Sequence, residues 1–128
     1  MDGKIETEIA QFFQKRVRER VAYELSSKKR ADFFDKIAHS AEDYIDARYI
    51  AEKSESPLPR EYLAEKLGKT CYVAARSSVL DGTMTDTRTA LSELWSCGVP
   101  YLLYGNGFLY LETEYDFSAH RSYLLRRQ

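Results

Sequence analysis

Hydroxyl side chains and two acids, Asp81 and Asp86, cluster in the segment Ser77–Thr87, where a predicted helix begins. We take five of them as candidate binding residues: Ser77, Ser78, Asp81, Thr83 and Thr85. The free N–H groups and the dipole at a helix N-terminus attract anions. The segment therefore predicts an anion or small-ligand site, used for binding alone or by an enzyme. It lacks the run of glycines with which phosphate-binding loops close around their ligand, so helix capping and loop solvation explain the same residues.

The string Asp81-Gly82-Thr83 resembles the end of the Asp-x-Asp-Gly-Thr signature of haloacid-dehalogenase-type phosphatases. The resemblance implies a nucleophilic first Asp and a second Asp that acts as acid and base. Val79 stands at the nucleophile position and can neither attack phosphorus nor hold magnesium. Only ~40 residues follow, which is too few for the further βα units that such a fold needs. We therefore interpret the string as ordinary turn chemistry.

Asp35, His39 and Asp43 recur at a spacing of four on one face of a predicted helix. A carboxylate beside an imidazole can orient it as a base or share a metal with it. No second histidine lies nearby in the sequence, so the set of metal ligands is incomplete. His120 is similarly alone. We expect no catalytic residue, no metal site and no cofactor, and interpret this helix face as solvated.

Basic residues cluster at Lys15–Arg20, Lys28–Arg30 and Arg126-Arg127. A single face that gathered them would bind phosphate groups. Acidic neighbours dilute each cluster, and no known nucleic-acid-binding motif accompanies them. Nucleic-acid binding is therefore the third of our hypotheses, after binding of a protein and use of the Ser77–Thr87 loop.

The composition is that of a globular protein, with 128 residues, 44% hydrophobic and 30% charged, and a formal net charge of −1. This length predicts one domain over residues 1–128. The charged N-terminus is unlike a signal peptide, and no apolar run reaches the length of a membrane span. Cys71 and Cys97 fit no zinc motif and are expected to be buried structural thiols. We expect a cytoplasmic protein that does not enter a membrane.

Hydrophobic periodicity predicts the order α-α-α-β-α-β-β-α. The expected elements are helices over 4–25, 32–45, 59–67, 86–97 and 117–127 and strands over 71–75, 101–104 and 108–112. Residues 46–53 remain open between helix and strand. The fold expected is α+β, with a helical part (1–53) joined by a linker (54–59) to an α/β part (60–128). Its sheet would be mixed and three-stranded.

The strongest local pattern is the hairpin around Gly105-Asn106-Gly107, because Asn and Gly accept the positive φ of a primed turn. Both faces of its strands are apolar, so either helices cover both faces or an aromatic face meets a partner. We take as the candidate interface Tyr101, Tyr104, Phe108 and Tyr110. Tyrosine is frequent at interaction hot spots.

The size and composition are similar to those of small bacterial toxin-neutralising proteins. The function expected is therefore non-catalytic binding of another protein, in a toxin-neutralising or adaptor-like role. A homo-oligomer that uses the same surface is a variant of this hypothesis.

Overall fold

The computed structural model describes residues 3–76, 78–113 and 122–127, without the side chain of His39. The helices are α1 (Lys4–Ala10), α2 (Arg18–Leu25), α3 (Arg30–Tyr44), α4 (Arg60–Leu67) and α5 (Thr87–Leu94). The strands are β1 (Ile50–Ser54), β2 (Thr70–Ala75), β3 (Met84–Asp86), β4 (Tyr101–Gly105), β5 (Phe108–Glu112) and β6 (Ser122–Arg126). Short 3-10 turns lie at Lys15–Val17 and Ala47–Tyr49.

All six strands form one antiparallel sheet in the order β1-β6-β5-β4-β2-β3. The prediction of a mixed three-stranded sheet is therefore wrong, although the α+β class holds. The open segment 46–53 contributes an edge strand, β1, and the loop after β2 contributes the other, β3. Because β1 belongs to the expected helical part, the boundary at residue 54 does not separate helices from sheet.

The C-terminal helix predicted over 117–127 is also wrong where the structure describes it, because residues 122–126 form β6. Tyr123 and Leu125 pack on the side of α1–α3, whereas Leu124 packs on the side of α4 and α5. A strand with both faces covered has a continuous apolar run, which periodicity alone does not distinguish from a short helix. Phe117 and His120 lie outside the described residues.

The long helix expected over 4–25 is broken at residues 11–17. There the backbone turns away to meet the end of α3. Gln14 N–H donates to the Tyr44 carbonyl at 2.8 Å, and Asp46 N–H donates to the Phe12 carbonyl at 3.0 Å. These long-range hydrogen bonds replace helical ones, and both Phe12 and Phe13 become buried. Tertiary contacts here override the local helical pattern.

The sheet lies between two hydrophobic layers. One layer joins it to α1, α2 and α3, and the other joins it to α4 and α5. The apolar hairpin was compatible with helices over both faces of the sheet or with an aromatic face that meets a partner. The structure shows helices over both faces. The predicted hairpin is confirmed. β4 and β5 are paired along their whole length, with Tyr101 opposite Glu112 at one end and Gly105 opposite Phe108 at the other. Its turn has φ 52° at Asn106 and 79° at Gly107, as a type I′ turn requires.

Candidate functional site

Two of the four candidate interface residues lie in the core. Tyr101 and Tyr110 have 0% of their surface exposed. Their rings meet edge to face, with centroids 6.1 Å apart, beneath α4 and α5. A partner cannot reach these rings, so their assignment to an interface needs correction. The cause is the position of β4 and β5 in the middle of the sheet, where helices cover both faces.

The hydroxyls of these two tyrosines are used inside the protein. Both donate to the carboxylate of Glu112, which is 2% exposed; the distance from Tyr110 Oη to Glu112 Oε2 is 2.9 Å. The same carboxylate accepts the backbone N–H of Ser96 at 3.1 and 3.2 Å. Burial, followed by the charge of Glu112, raises the pKa of both tyrosines far above its usual value. The network ties the turn after α5 to the sheet.

The described polar side chains of the predicted ligand loop form hydrogen bonds and an ion pair within the protein. Asp81 accepts the N–H of Ala75 at 2.9 Å and forms an ion pair with Arg30. Thr83 and Thr85 share a hydrogen bond of 2.6 Å between their hydroxyls. Ser78 Oγ accepts the N–H of Leu80, and Ser77 lies outside the described residues. These bonds fasten the loop to the end of β2 and to α3.

The N-terminus of α5 is capped by an acidic residue, Asp86. The Asp86 carboxylate accepts the backbone N–H of Thr89 at 3.1 Å and its hydroxyl at 3.2 Å. An N-cap carboxylate of this kind satisfies the free donors and complements the helix dipole. It occupies the position that a bound anion would need, so the described geometry gives the anion hypothesis no support.

The remaining candidates for chemistry are dispersed. Asp35 forms an exposed ion pair with Arg76 at 3.0 Å, and Asp43 is exposed. Cys71 is buried, and burial raises the pKa of its thiol. Cys97 is exposed, contrary to expectation. Among residues 3–76, 78–113 and 122–127, no three His, Cys, Asp or Glu side chains are grouped so that they could hold a metal ion.

The other two candidate interface residues, Tyr104 and Phe108, lie at the hairpin end of the sheet and are partly exposed. The Tyr104 hydroxyl donates to Glu8 on α1 at 2.8 Å, and its ring meets the edge of Phe12 at a centroid distance of 5.9 Å. Its cross-strand neighbour Tyr72 donates to Glu6 on α1 at 2.6 Å. Two carboxylates of one helix thus hold a pair of tyrosines on adjacent strands, and Tyr104 is fixed in place.

Phe108 lies between two cations on the α4 side of the sheet. The Lys66 ammonium is 5.8 Å from the centre of its ring, and the Arg126 guanidinium is 5.7 Å away. Arg126 is the cross-strand partner of Phe108, so the strand register itself sets this contact. Lys66 also lies 5.4 Å from the ring of Tyr62. Contacts of this length between a cation and an aromatic ring are attractive.

Tyr49 forms a matching contact on the α1 side. Arg127 lies 5.2 Å from the centre of the Tyr49 ring and Arg48 lies 5.3 Å from it. Arg127 also lines an open groove together with Tyr104 and Gly107. We call the set Tyr49, Lys66, Tyr104, Phe108, Arg126 and Arg127 the hairpin-end surface.

Sequence reasoning recognised Arg126-Arg127 only as a basic cluster at the end of a helix. Successive side chains of a strand point to opposite faces. Arg126, the last residue of β6, lies over Phe108, and Arg127, the residue that follows the strand, lies over Tyr49 on the other face. The available signal was the apolar run Tyr123-Leu124-Leu125, bounded by Ser122 and by these two arginines. Such a run is typical of a short buried strand.

The chain matches no protein-family model, no curated protein and no solved structure. In the described ranges, every helix is too short or too polar to cross a membrane.

Proposed function

We propose that this is a non-catalytic cytoplasmic protein whose function is to bind another protein, in a toxin-neutralising or adaptor-like role, through the hairpin-end surface. One observation carries the proposal. Two consecutive exposed arginines, Arg126 and Arg127, lie over aromatic rings on opposite faces of the same sheet end. Arginine and tyrosine are among the residues that contribute most to binding energy at protein interfaces.

The rigidity of this surface supports a binding role. Phe108 is held by two cations and by its strand, and Tyr104 by Glu8 and Phe12. Side chains that are already ordered lose less conformational entropy when a partner binds. The helices leave the end of the sheet as the place where partly exposed aromatic side chains of the hairpin meet solvent.

The experiment compares two double variants with equal change in charge. Arg126→Gln/Arg127→Gln alters the hairpin-end surface. The control is Arg76→Gln/Arg88→Gln, which removes two exposed arginines that pair with the exposed acids Asp35 and Glu61 elsewhere. Tagged wild type and both variants are used to capture proteins from host lysate treated with nuclease, and thermal unfolding shows that each variant is folded.

We expect one stoichiometric protein with wild type and with the control, and recovery at least about tenfold lower with Arg126→Gln/Arg127→Gln, which corresponds to ~1.4 kcal/mol. Equal recovery with both variants contradicts the proposal. Bound material that disappears with nuclease would instead support the nucleic-acid hypothesis. If the captured protein is a second copy of this chain, light scattering of the purified protein will show a dimer that the same variant dissociates.

A further inference from the structure

In the described part of the chain, Arg127 donates one side-chain hydrogen bond, from Nη1 to Gln11 Oε1 at 3.5 Å, and the other N–H groups of Arg126 and Arg127 have no such acceptor. A guanidinium that lies over an aromatic ring contacts it through its flat face, whereas its N–H donors point outward in its own plane. That fork of donors matches the two oxygens of a carboxylate. Arg126 lies 5.7 Å from the centre of the Phe108 ring and Arg127 lies 5.2 Å from the centre of the Tyr49 ring, so each guanidinium is placed beside an aromatic ring before any ligand arrives.

Some of the 19 lysine and arginine side chains of this protein are paired with its own carboxylates and others are not. Eight of them form ion pairs with a carboxylate of the protein: Arg18, Arg20, Arg30, Lys36, Arg48, Lys53, Arg76 and Arg88. Lys66, Arg126 and Arg127 form none within the part of the chain that the structure describes, and all three contact aromatic rings of the hairpin-end surface. These three cations can therefore pair with an external acid.

We infer that the hairpin-end surface binds an acidic segment of the partner protein, with one Asp or Glu carboxylate for Arg126 and another for Arg127. This inference rests on the proposed function and specifies the chemistry of the partner. The two guanidiniums belong to opposite faces of the sheet, so the partner's carboxylates lie on either side of the strand end.

A protein acid fits this surface better than a nucleic-acid backbone does. Single-stranded nucleic acids follow a continuous positively charged groove. Here the two arginines lie on opposite faces, and Glu8 lines the groove beside Arg127. Glu52 accepts the Tyr62 hydroxyl next to Lys66. A continuous row of phosphates would be repelled by Glu8 and Glu52. Separate Asp or Glu side chains of a protein partner can be placed away from these two residues.

The test uses a short fluorescent peptide in which Glu alternates with Ser, and a matched peptide in which Gln replaces Glu. Binding is followed by fluorescence anisotropy at low salt, where surface ion pairs are screened least. Oligothymidylate serves as the phosphate probe. The proteins are wild type, Arg126→Gln/Arg127→Gln, Arg126→Lys/Arg127→Lys and the control Arg76→Gln/Arg88→Gln.

We expect the Glu peptide to bind wild type and the control equally, and to bind Arg126→Gln/Arg127→Gln at least about tenfold more weakly, since charge-assisted bonds are lost. The lysine variant keeps the positive charge but loses the planar pair of guanidinium donors. We therefore expect its affinity for the Glu peptide to be lower than that of wild type by a factor of about three or more. Equal binding of the Gln peptide, tighter binding of oligothymidylate, or full affinity in the lysine variant would each overturn the inference.

The outcomes separate this inference from the proposed function. A protein partner that depends on Arg126 and Arg127, together with no binding of the Glu peptide, leaves the proposed function standing and removes the acidic partner. Binding of the Glu peptide through these arginines, with no protein recovered from lysate, supports recognition of carboxylates by this surface and contradicts the proposed function.

Discussion

Glu112 shows how a single carboxylate can be kept inside a hydrophobic layer. Two tyrosine hydroxyls and one backbone N–H converge on it. Ser96, which supplies that N–H, has φ 58°, a conformation that costs energy for a residue with a side chain. The carboxylate therefore fixes a strained turn and two buried hydroxyls at once, and removing it leaves all three donors without this acceptor.

Glu112→Ala should lower the free energy of unfolding by about 3 kcal/mol, because buried donors without an acceptor are costly. Denaturant unfolding measures this. Glu112→Gln is the matched control: its amide oxygen still accepts, so we expect a smaller loss. If the alanine variant is as stable as the glutamine variant, the network does not contribute to stability.

The hairpin of β4 and β5 is joined to α4 by close backbone approach. A Cβ added at Gly105 would lie 2.5 Å from the Leu67 carbonyl oxygen and 3.0 Å from that of Thr70. Both contacts are with backbone, which cannot turn aside as a side chain can. Glycine at this position is therefore required by space, and the hairpin end cannot move away without displacing the end of α4.

Gly105→Ala should lower the free energy of unfolding by about 3 kcal/mol, the upper range for overpacking. Gly107→Ala in the same turn is the comparison. Nothing lies within 4 Å of its added Cβ, so only its φ of 79° opposes the change, with an expected cost of about 1 kcal/mol. Equal losses in thermal unfolding of the two variants would contradict the packing argument.

Element prediction succeeded where the signal is local and failed where the partner is distant. The hairpin follows from Asn106-Gly107 and two adjacent apolar runs, all within about a dozen residues. By contrast, β1 and β6 are each other's neighbours across the intervening helices and strands. A short segment such as Tyr123–Leu125 favours helix and strand almost equally until that neighbour is known.

At the scale of the whole molecule, buried tyrosines couple folding to alkaline pH. Burial is the largest cause that raises the pKa of Tyr72, Tyr104 and Tyr123, each to about 12. In the unfolded chain a tyrosine ionises near pH ~10. Between these values the folded protein holds protons that the unfolded chain releases, so rising pH favours unfolding.

The free energy of unfolding should therefore be unaffected by these tyrosines below pH ~10 and should fall as the pH rises from ~10 to ~12. Denaturant midpoints at several alkaline pH values measure it, and absorbance near 295 nm shows tyrosine ionisation in step with unfolding. Replacing Tyr72 and Tyr123 by Phe should make the pH dependence shallower. An unchanged slope in that variant would contradict the assignment.

The candidate site was only half accessible to sequence reasoning. The aromatic hairpin pointed to Tyr104 and Phe108, and also to Tyr101 and Tyr110, because residue type alone does not reveal which rings helices will cover. Arg126 acquires its aromatic neighbour Phe108 only from the strand register of β6, and Arg127 follows it to the other face, where it lies over Tyr49. Long-range pairing, rather than local composition, therefore decides which side chains form the surface.

The strand order also dictates a sequence of events during synthesis. β6 is the strand that joins β1 to the rest of the sheet, because β1 pairs with it at Ser54–Ser122 and β5 lies on its other side. A nascent chain on the ribosome can close the β4–β5 hairpin early, yet β1 has nothing to pair with until residues 122–126 emerge. Pairing across such a separation is slow and leaves apolar surface open meanwhile. We therefore expect the first strand to remain without its sheet neighbour until the sixth strand has been made.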